Sequence, residues 1–104
     1  MNKKIVKNSM SKLLYIKKSH LPEKKFDAVF EHNGRQKVIP FGASGMSDYT
    51  KHHDEKRKQR YLARHKTTEH WDNPMTAGAL SKWILWNKPT FESSLKDFKH
   101  RFNV

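Results

Sequence analysis

From Lys25 to Glu31 apolar and polar residues alternate, with Phe26, Ala28 and Phe30 set against Asp27 and Glu31. A period of two predicts a half-buried β-strand. His32-Asn33-Gly34-Arg35 follows, and Asn-Gly at a hairpin centre is the strongest short-range turn signal, because both positions tolerate positive φ. Gln36 to Phe41 is then the return strand. Pro40 has no N–H to give a ladder and belongs on a sheet edge or at a strand end. Upstream, Lys12-Leu13-Leu14-Tyr15-Ile16-Lys17 is a short apolar run that offers a third strand, and His20-Leu21-Pro22-Glu23 breaks it.

Further along, the period becomes helical. Phe91, Leu95, Phe98 and Phe102 fall at i, i+4, i+7 and i+11, an amphipathic stripe with Thr90 as its N-cap. Residues 76–86 predict another helix, with Leu80, Trp83, Ile84 and Trp86 on its buried side and Asn87-Lys88-Pro89 ending it. Trp71, Trp83 and Trp86 are expected in the core; for Trp71 the alternative is a partly exposed stacking platform for a base. Residues 54–66 predict a third helix, with His53 or Asp54 near its cap and Asp54 and Glu55 in its first turn. Its apolar stripe is only Tyr61, Leu62 and Ala63, so it should lie across the outside. The fold class is therefore α+β: an antiparallel β-hairpin, three-stranded if residues 12–17 join it, packed on two to three helices, with one exposed basic helix. Residues 1–11 are expected to be a flexible basic arm and residues 12–104 a single domain.

Charge narrows the function classes. The chain of 104 residues has a formal net charge of +12 and a pI near 10.1. Six Phe, three Tyr and three Trp distinguish it from an aromatic-poor disordered tail. It contains no Cys, which excludes disulfides and thiolate metal sites and fits a reducing compartment. No stretch approaches the roughly 18 consecutive apolar residues of a membrane span. The basic start Met1-Asn2-Lys3-Lys4 leads into no apolar signal region, so an intracellular protein, or one packed in a particle made in the cytoplasm, is expected.

The charge is concentrated. Residues 1–25 carry eight Lys against one Glu, and residues 51–66 carry seven Lys or Arg against two carboxylates, while residues 26–50 are near neutral. Such density opposes compaction through self-repulsion, so a polyanionic partner is the simplest reason to keep it. Lys51, Lys56, Arg57, Lys58, Arg60, Arg64 and Lys66 are the candidate nucleic-acid contacts, with Lys3, Lys4 and Lys7 as an auxiliary arm. Gly42, Ser44, Gly45 and Ser47 are a candidate phosphate loop, its N–H groups forming an anion concavity; a plain strand-to-helix turn needing positive φ is the alternative. His52, His53, His65 and His70, with Asp48, Asp54 and Asp72, supply potential metal ligands, but no His-Glu-x-x-His spacing exists. Nor is there a P-loop, a Rossmann fingerprint or a nucleophile elbow. No cofactor and no catalytic residue is expected.

Four longer strings carry a resemblance: Phe41 to His52, Arg60 to His65, Trp71 to Ser81 and Trp83 to Thr90, which include Trp71-Asp72-Asn73-Pro74 and Trp83-Ile84-Leu85-Trp86. Across residues 12–103 the chain is similar to a small uncharacterised protein family of nucleocytoplasmic large DNA viruses, the giant viruses of amoebae and algae. The resemblance implies a viral setting, in the cytoplasmic factory or the virion, and no activity. The expected function is non-enzymatic, largely sequence-independent binding of nucleic acid, with double-stranded DNA first, in genome packaging or condensation. The alternatives are a minor virion protein bridging core or capsid proteins and a small metal-dependent nuclease.

Overall fold

A computed structural model describes residues 11–104; Lys3, Lys4 and Lys7 lie outside the described residues. Three strands, β1 (Ser11–Lys18), β2 (Lys24–His32) and β3 (Arg35–Ala43), form an antiparallel sheet in that order. Ser11, assigned by sequence to the arm, opens β1. Asn33 (φ 52°) and Gly34 (φ 81°) both adopt the left-handed region, as a two-residue hairpin turn of the primed type requires. The register sets Phe26 against Phe41 and Ala28 against Ile39 on the core face, and Val29 against Val38 on the other. Pro40 sits on the edge strand β3, where its missing N–H is tolerated.

Leu13 and Ile16 are three residues apart and would point to opposite faces of a regular strand. A bulge between Leu13 and Tyr15 inserts Leu14, so that Leu13 pairs with Phe30 and Ile16 with Ala28, both on the core face. This irregularity lets β1 join the sheet with two apolar anchors.

Against that face pack helices whose starts are fixed by side-chain caps. They are α1 (Tyr49–His52), α2 (Glu55–His65), α3 (Ala77–Leu80), which runs on into a π-helical turn over Ser81–Leu85, and α4 (Phe91–Phe102). Asp48, Asp54, Thr76 and Thr90 each accept hydrogen bonds from N–H groups of the first turn that would otherwise be unpaired. The expected α+β class is what the structure has. Two details differ from the sequence reading. Tyr49–His52, ahead of the helix expected over 54–66, is a helical turn of its own, closed by His53 at φ 54° with its N–H on Tyr49 O. The helix expected over 76–86 widens, Trp86 N–H reaching Ser81 O at 3.1 Å.

Phe30, Phe41, Leu80, Ile84 and Phe98 form the fully buried centre. None of the three tryptophans belongs to it, contrary to expectation. Trp83 and Trp86 flank the core partly buried. An indole carries an N–H that needs a partner, and Trp83 Nε1 donates to Trp71 O at 2.9 Å at the core's margin. No helix among the described residues is long and apolar enough to cross a membrane.

On the sheet's other face Asp27 is fully buried. The turn after β1 folds over it: Ser19 Oγ donates at 2.7 Å, His20 N–H at 3.1 Å, and His20 Nδ1 lies 2.5 Å away. Burial alone would raise this carboxyl; the hydrogen bonds from His20 and Ser19 outweigh it and hold the group at about 2.

Two consequences can be measured. Gly42 (φ 83°) and Gly45 (φ 84°) share a backbone conformation, but a Cβ at Gly42 would meet Leu85 Cδ1 at 3.0 Å and Lys25 Cβ at 3.1 Å, whereas one at Gly45 meets nothing within 4 Å. Gly45→Ala should cost about 1–2 kcal/mol from backbone conformation alone. Gly42→Ala should cost roughly 1–3 kcal/mol more through overpacking, read from urea midpoints. Equal costs would show that Leu85 and Lys25 move aside freely. As for pH, a carboxyl lowered from 3.8 to about 2 stabilises the fold above the higher value, and that contribution is lost as pH falls towards the lower one. Asp27→Asn should therefore lower stability at pH 7 by about 1–3 kcal/mol and flatten the acid limb of the stability curve. An acid limb identical to that of the parent protein would exclude this role.

Candidate nucleic-acid interface

Asp54 fixes where α2 begins, its Oδ1 accepting from Lys56 N–H at 3.0 Å and Arg57 N–H at 3.2 Å. The backbone hydrogen bond from Arg57, ahead of that from Lys56, keeps this carboxyl below its usual value. The helix then docks through Tyr61. Trp86 stacks on the Tyr61 ring with centroids 4.3 Å apart and 5° between planes, and His65 stacks at 4.3 Å and 26°. Burial, with Glu69 nearby, pushes the Tyr61 phenol up to about 12, so it stays a neutral hydroxyl at pH 7.

That docking sorts the cations of the basic segment. Lys58 turns towards the body, its Nζ donating to Asn87 O at 2.8 Å and lying 4.7 Å from the Tyr49 ring centre. Of the candidate contacts among the described residues, it is the one already engaged within the fold. Lys56, Arg57, Arg60 and Arg64 are exposed and, at about 100° per residue, share an arc of about 100° on one flank. None of these four makes an ion pair among the described residues. The nearby carboxylates have other work: Asp54 caps the helix, and Glu55 accepts from Gln59 at 2.8 Å and from the Tyr49 hydroxyl at 3.1 Å. Lys51 is exposed on α1. Lys66 lies beyond the arc, beside a shallow hollow shared with Gln59, Leu62 and Trp71.

Where Arg57 and Arg64 leave the helix, a cavity of about 230 Å³ opens between α2 and the end of β3. Lys25, Gly42, Ser47 and Tyr61 line it with the two arginines, and Asp48 lies at its wall. Asp48 is 1% exposed, and both its oxygens are engaged: Oδ2 with Lys25 Nζ at 2.5 Å, Oδ1 with Thr50 N–H at 3.0 Å and the Thr50 hydroxyl at 2.5 Å. Lys25 was not singled out from sequence. It lies more than thirty residues before Arg57, and the only local clue was its place at the mouth of an alternating strand.

The glycine loop behaves mainly as a turn. Ser44 N–H donates to Glu23 O at 3.0 Å and Met46 N–H to Ala43 O at 3.2 Å, so these amides are unavailable to an anion. Gly42 and Ser47 reach the cavity wall; Ser44 and Gly45 do not.

The histidines are dispersed. His53 Nε2 donates to Pro89 O at 2.9 Å, His65 Nδ1 pairs with Glu69 Oε2 at 3.0 Å, and His52 Nδ1 accepts from Asp54 N–H at 2.9 Å. No group of three His, Asp or Glu side chains that could hold a metal ion occurs among the described residues. Lys82 Nζ lies 4.6 Å from the ring centre of Trp71, covering one face of the proposed stacking platform.

No curated protein and no solved structure matches the chain. A family match does exist, running from β1 to the end of α2, and thus takes in Lys25, Arg57, Tyr61 and Arg64 as well as the sheet that holds them. Residues 14–65, half of the chain, match the model of a family of unknown function, DUF5754, and the chain belongs to that family.

Proposed function

We propose that this protein is a non-enzymatic nucleic-acid-binding protein that holds double-stranded DNA through its phosphates, largely without regard to sequence. One observation carries the reading: Lys56, Arg57, Arg60 and Arg64 form a solvent-facing arc with no carboxylate partner among the described residues. Unpaired cations crowded on one flank repel one another, and a row of phosphates relieves that repulsion while releasing the counterions condensed on the nucleic acid. Arginine adds bidentate geometry on phosphate oxygens that lysine lacks. The arc spans about 12 Å along the helix axis at 1.5 Å per residue, enough to meet successive phosphates of one strand. Lys51 and Lys66 extend the positive field at either end, and Lys3, Lys4 and Lys7 add to the net charge from the N-terminus. In the setting suggested by the resemblance to proteins of large DNA viruses, the role is genome packaging or condensation, in the virion or the host cytoplasm.

A second reading draws on the opposite side of the molecule. Leu14, Tyr15 and Val38 are 42%, 51% and 43% exposed on the sheet, a surface suited to a protein neighbour. A minor virion protein, bridging core or capsid proteins, would use that side.

Binding to a random-sequence duplex should weaken steeply as salt rises. Replacing Arg57, Arg60 and Arg64 together by Ala should lower the slope of log K against log salt by about 3, at roughly 0.9 per phosphate contact. Circular dichroism checks that the variant is folded. Unchanged affinity and slope in a folded triple variant would remove α2 from the interface, and tight salt-insensitive binding to a capsid protein would favour the second reading.

A further inference from the structure

We infer that the cavity between α2 and the end of β3 is a receptor for a phosphate monoester, carried at the end of a nucleic-acid strand. The inference rests on the reading of α2 as a phosphate-facing helix, and it assigns to Lys25, Arg57 and Arg64 a task separate from the open arc. Arg57 and Arg64 are two turns apart on one flank, both line the cavity, and neither guanidinium hydrogen-bonds within the described protein. Opposite them stands Lys25, held by Asp48. Counting Lys25, Arg57, Arg64 and Asp48, the walls carry a net charge of +2. A phosphate monoester carries roughly −1.5 to −2 at pH 7 and a backbone diester only about −1, so the terminal group is the better electrostatic match.

Shape selects the same group. At about 230 Å³ the cavity is smaller than the roughly 300–1,000 Å³ of sites that enclose drug-sized ligands, so it takes a headgroup and leaves the rest of the strand outside. Both aromatic rings in the lining are already engaged: Tyr61 by Trp86 and His65, each at 4.3 Å, and Trp86 by Tyr61 and by His52 at 5.3 Å, which leaves little ring face for a base. Tyr61, neutral at pH 7, and Ser47 add hydroxyl-bearing side chains to the lining. Asp48 does not oppose the anion with a free oxygen, since Lys25 and Thr50 engage both.

The test compares two blunt duplexes of identical sequence, one with 5′-phosphates and one with 5′-hydroxyls, by fluorescence anisotropy at fixed salt. The phosphorylated duplex should bind about tenfold tighter or more, the worth of one or two charge-assisted hydrogen bonds. Arg57→Gln with Arg64→Gln should abolish that difference. Lys56→Gln with Arg60→Gln, outside the cavity, should weaken both duplexes and preserve it. Inorganic phosphate, titrated against chloride at constant ionic strength, should shift the Arg57 and Arg64 Nε–H resonances in a 15N–1H spectrum and compete away the preference for phosphorylated ends. Equal binding of the two duplexes by the parent protein would overturn the cavity assignment and leave the arc intact. If neither duplex binds while inorganic phosphate still shifts both arginines, the monoester site stands as a receptor for a free phosphate compound, and the nucleic-acid reading falls.

Discussion

The buried pair of Lys25 and Asp48 ties the sheet to everything that follows it. A carboxylate that is 1% exposed is tolerated only with a full set of partners, because removing a charge from water costs far more than a single hydrogen bond returns. Asp48 finds them in three places: the ammonium of Lys25 on β2, and the N–H and hydroxyl of Thr50 in the first turn of α1. One side chain therefore caps a helix and locks that helix to the central strand. Four residues after α1 begins, His53 turns the chain through positive φ, and Asp54 opens α2 directly afterwards. The position of α2, and with it the direction of Arg57 and Arg64, is inherited from Asp48.

The same pair sets the balance of charge. The protein's cations divide into those with work inside the fold and those without. Lys25 holds Asp48, Lys58 donates to Asn87 O, and Lys82 and Arg101 lie against the Trp83 ring at 4.0 and 3.8 Å. These four are cross-braces between elements, and in Lys82 burial lowers the tendency to hold the proton. Lys56, Arg57, Arg60 and Arg64 form no ion pair among the described residues. Composition treats all eight alike, and only the fold separates them.

Much of the fold was legible because it rests on short-range chemistry. Asn33-Gly34 dictated its turn, Thr90 began its helix as the expected N-cap, and Phe91, Leu95, Phe98 and Phe102 laid their stripe along α4. What escaped depended on contacts between distant residues. The bulge at Leu14 answers to the partners of Leu13 and Ile16 across the sheet; nothing in Lys12–Lys17 announces it. Lys58 reads as one basic residue among seven until Asn87 supplies its acceptor. The tryptophans read as core by size alone, while the N–H of Trp83, donated to Trp71 O, and the cations of Lys82 and Arg101 hold that indole at the margin. For the candidate site, the helix and its charge could be read from sequence, and the cavity could not, since Lys25 reaches it only through the sheet register and the Asp48 pair.

The π-helical turn completes this geometry. Within Ser81–Leu85 each turn holds more residues than an α-helix does, so Trp83 and Trp86 are spread further apart around the axis than regular winding would allow. One indole goes to Trp71 and Phe102, and the other to Tyr61 and His52. Ile84 and Leu85 between them stay in the core, and Leu85 also fills the space that Gly42 leaves by having no side chain. A straight helix would turn Trp86 towards the side that Trp83 occupies and leave Tyr61 without its stacking partner. A thin apolar stripe such as that of α2 cannot hold a highly charged helix against its own repulsion without a strong anchor. The widened turn supplies that anchor beside Arg57 and Arg64, since Tyr61 and Trp86 line the same cavity as the two arginines, so the helix is held firmly where its basic flank begins.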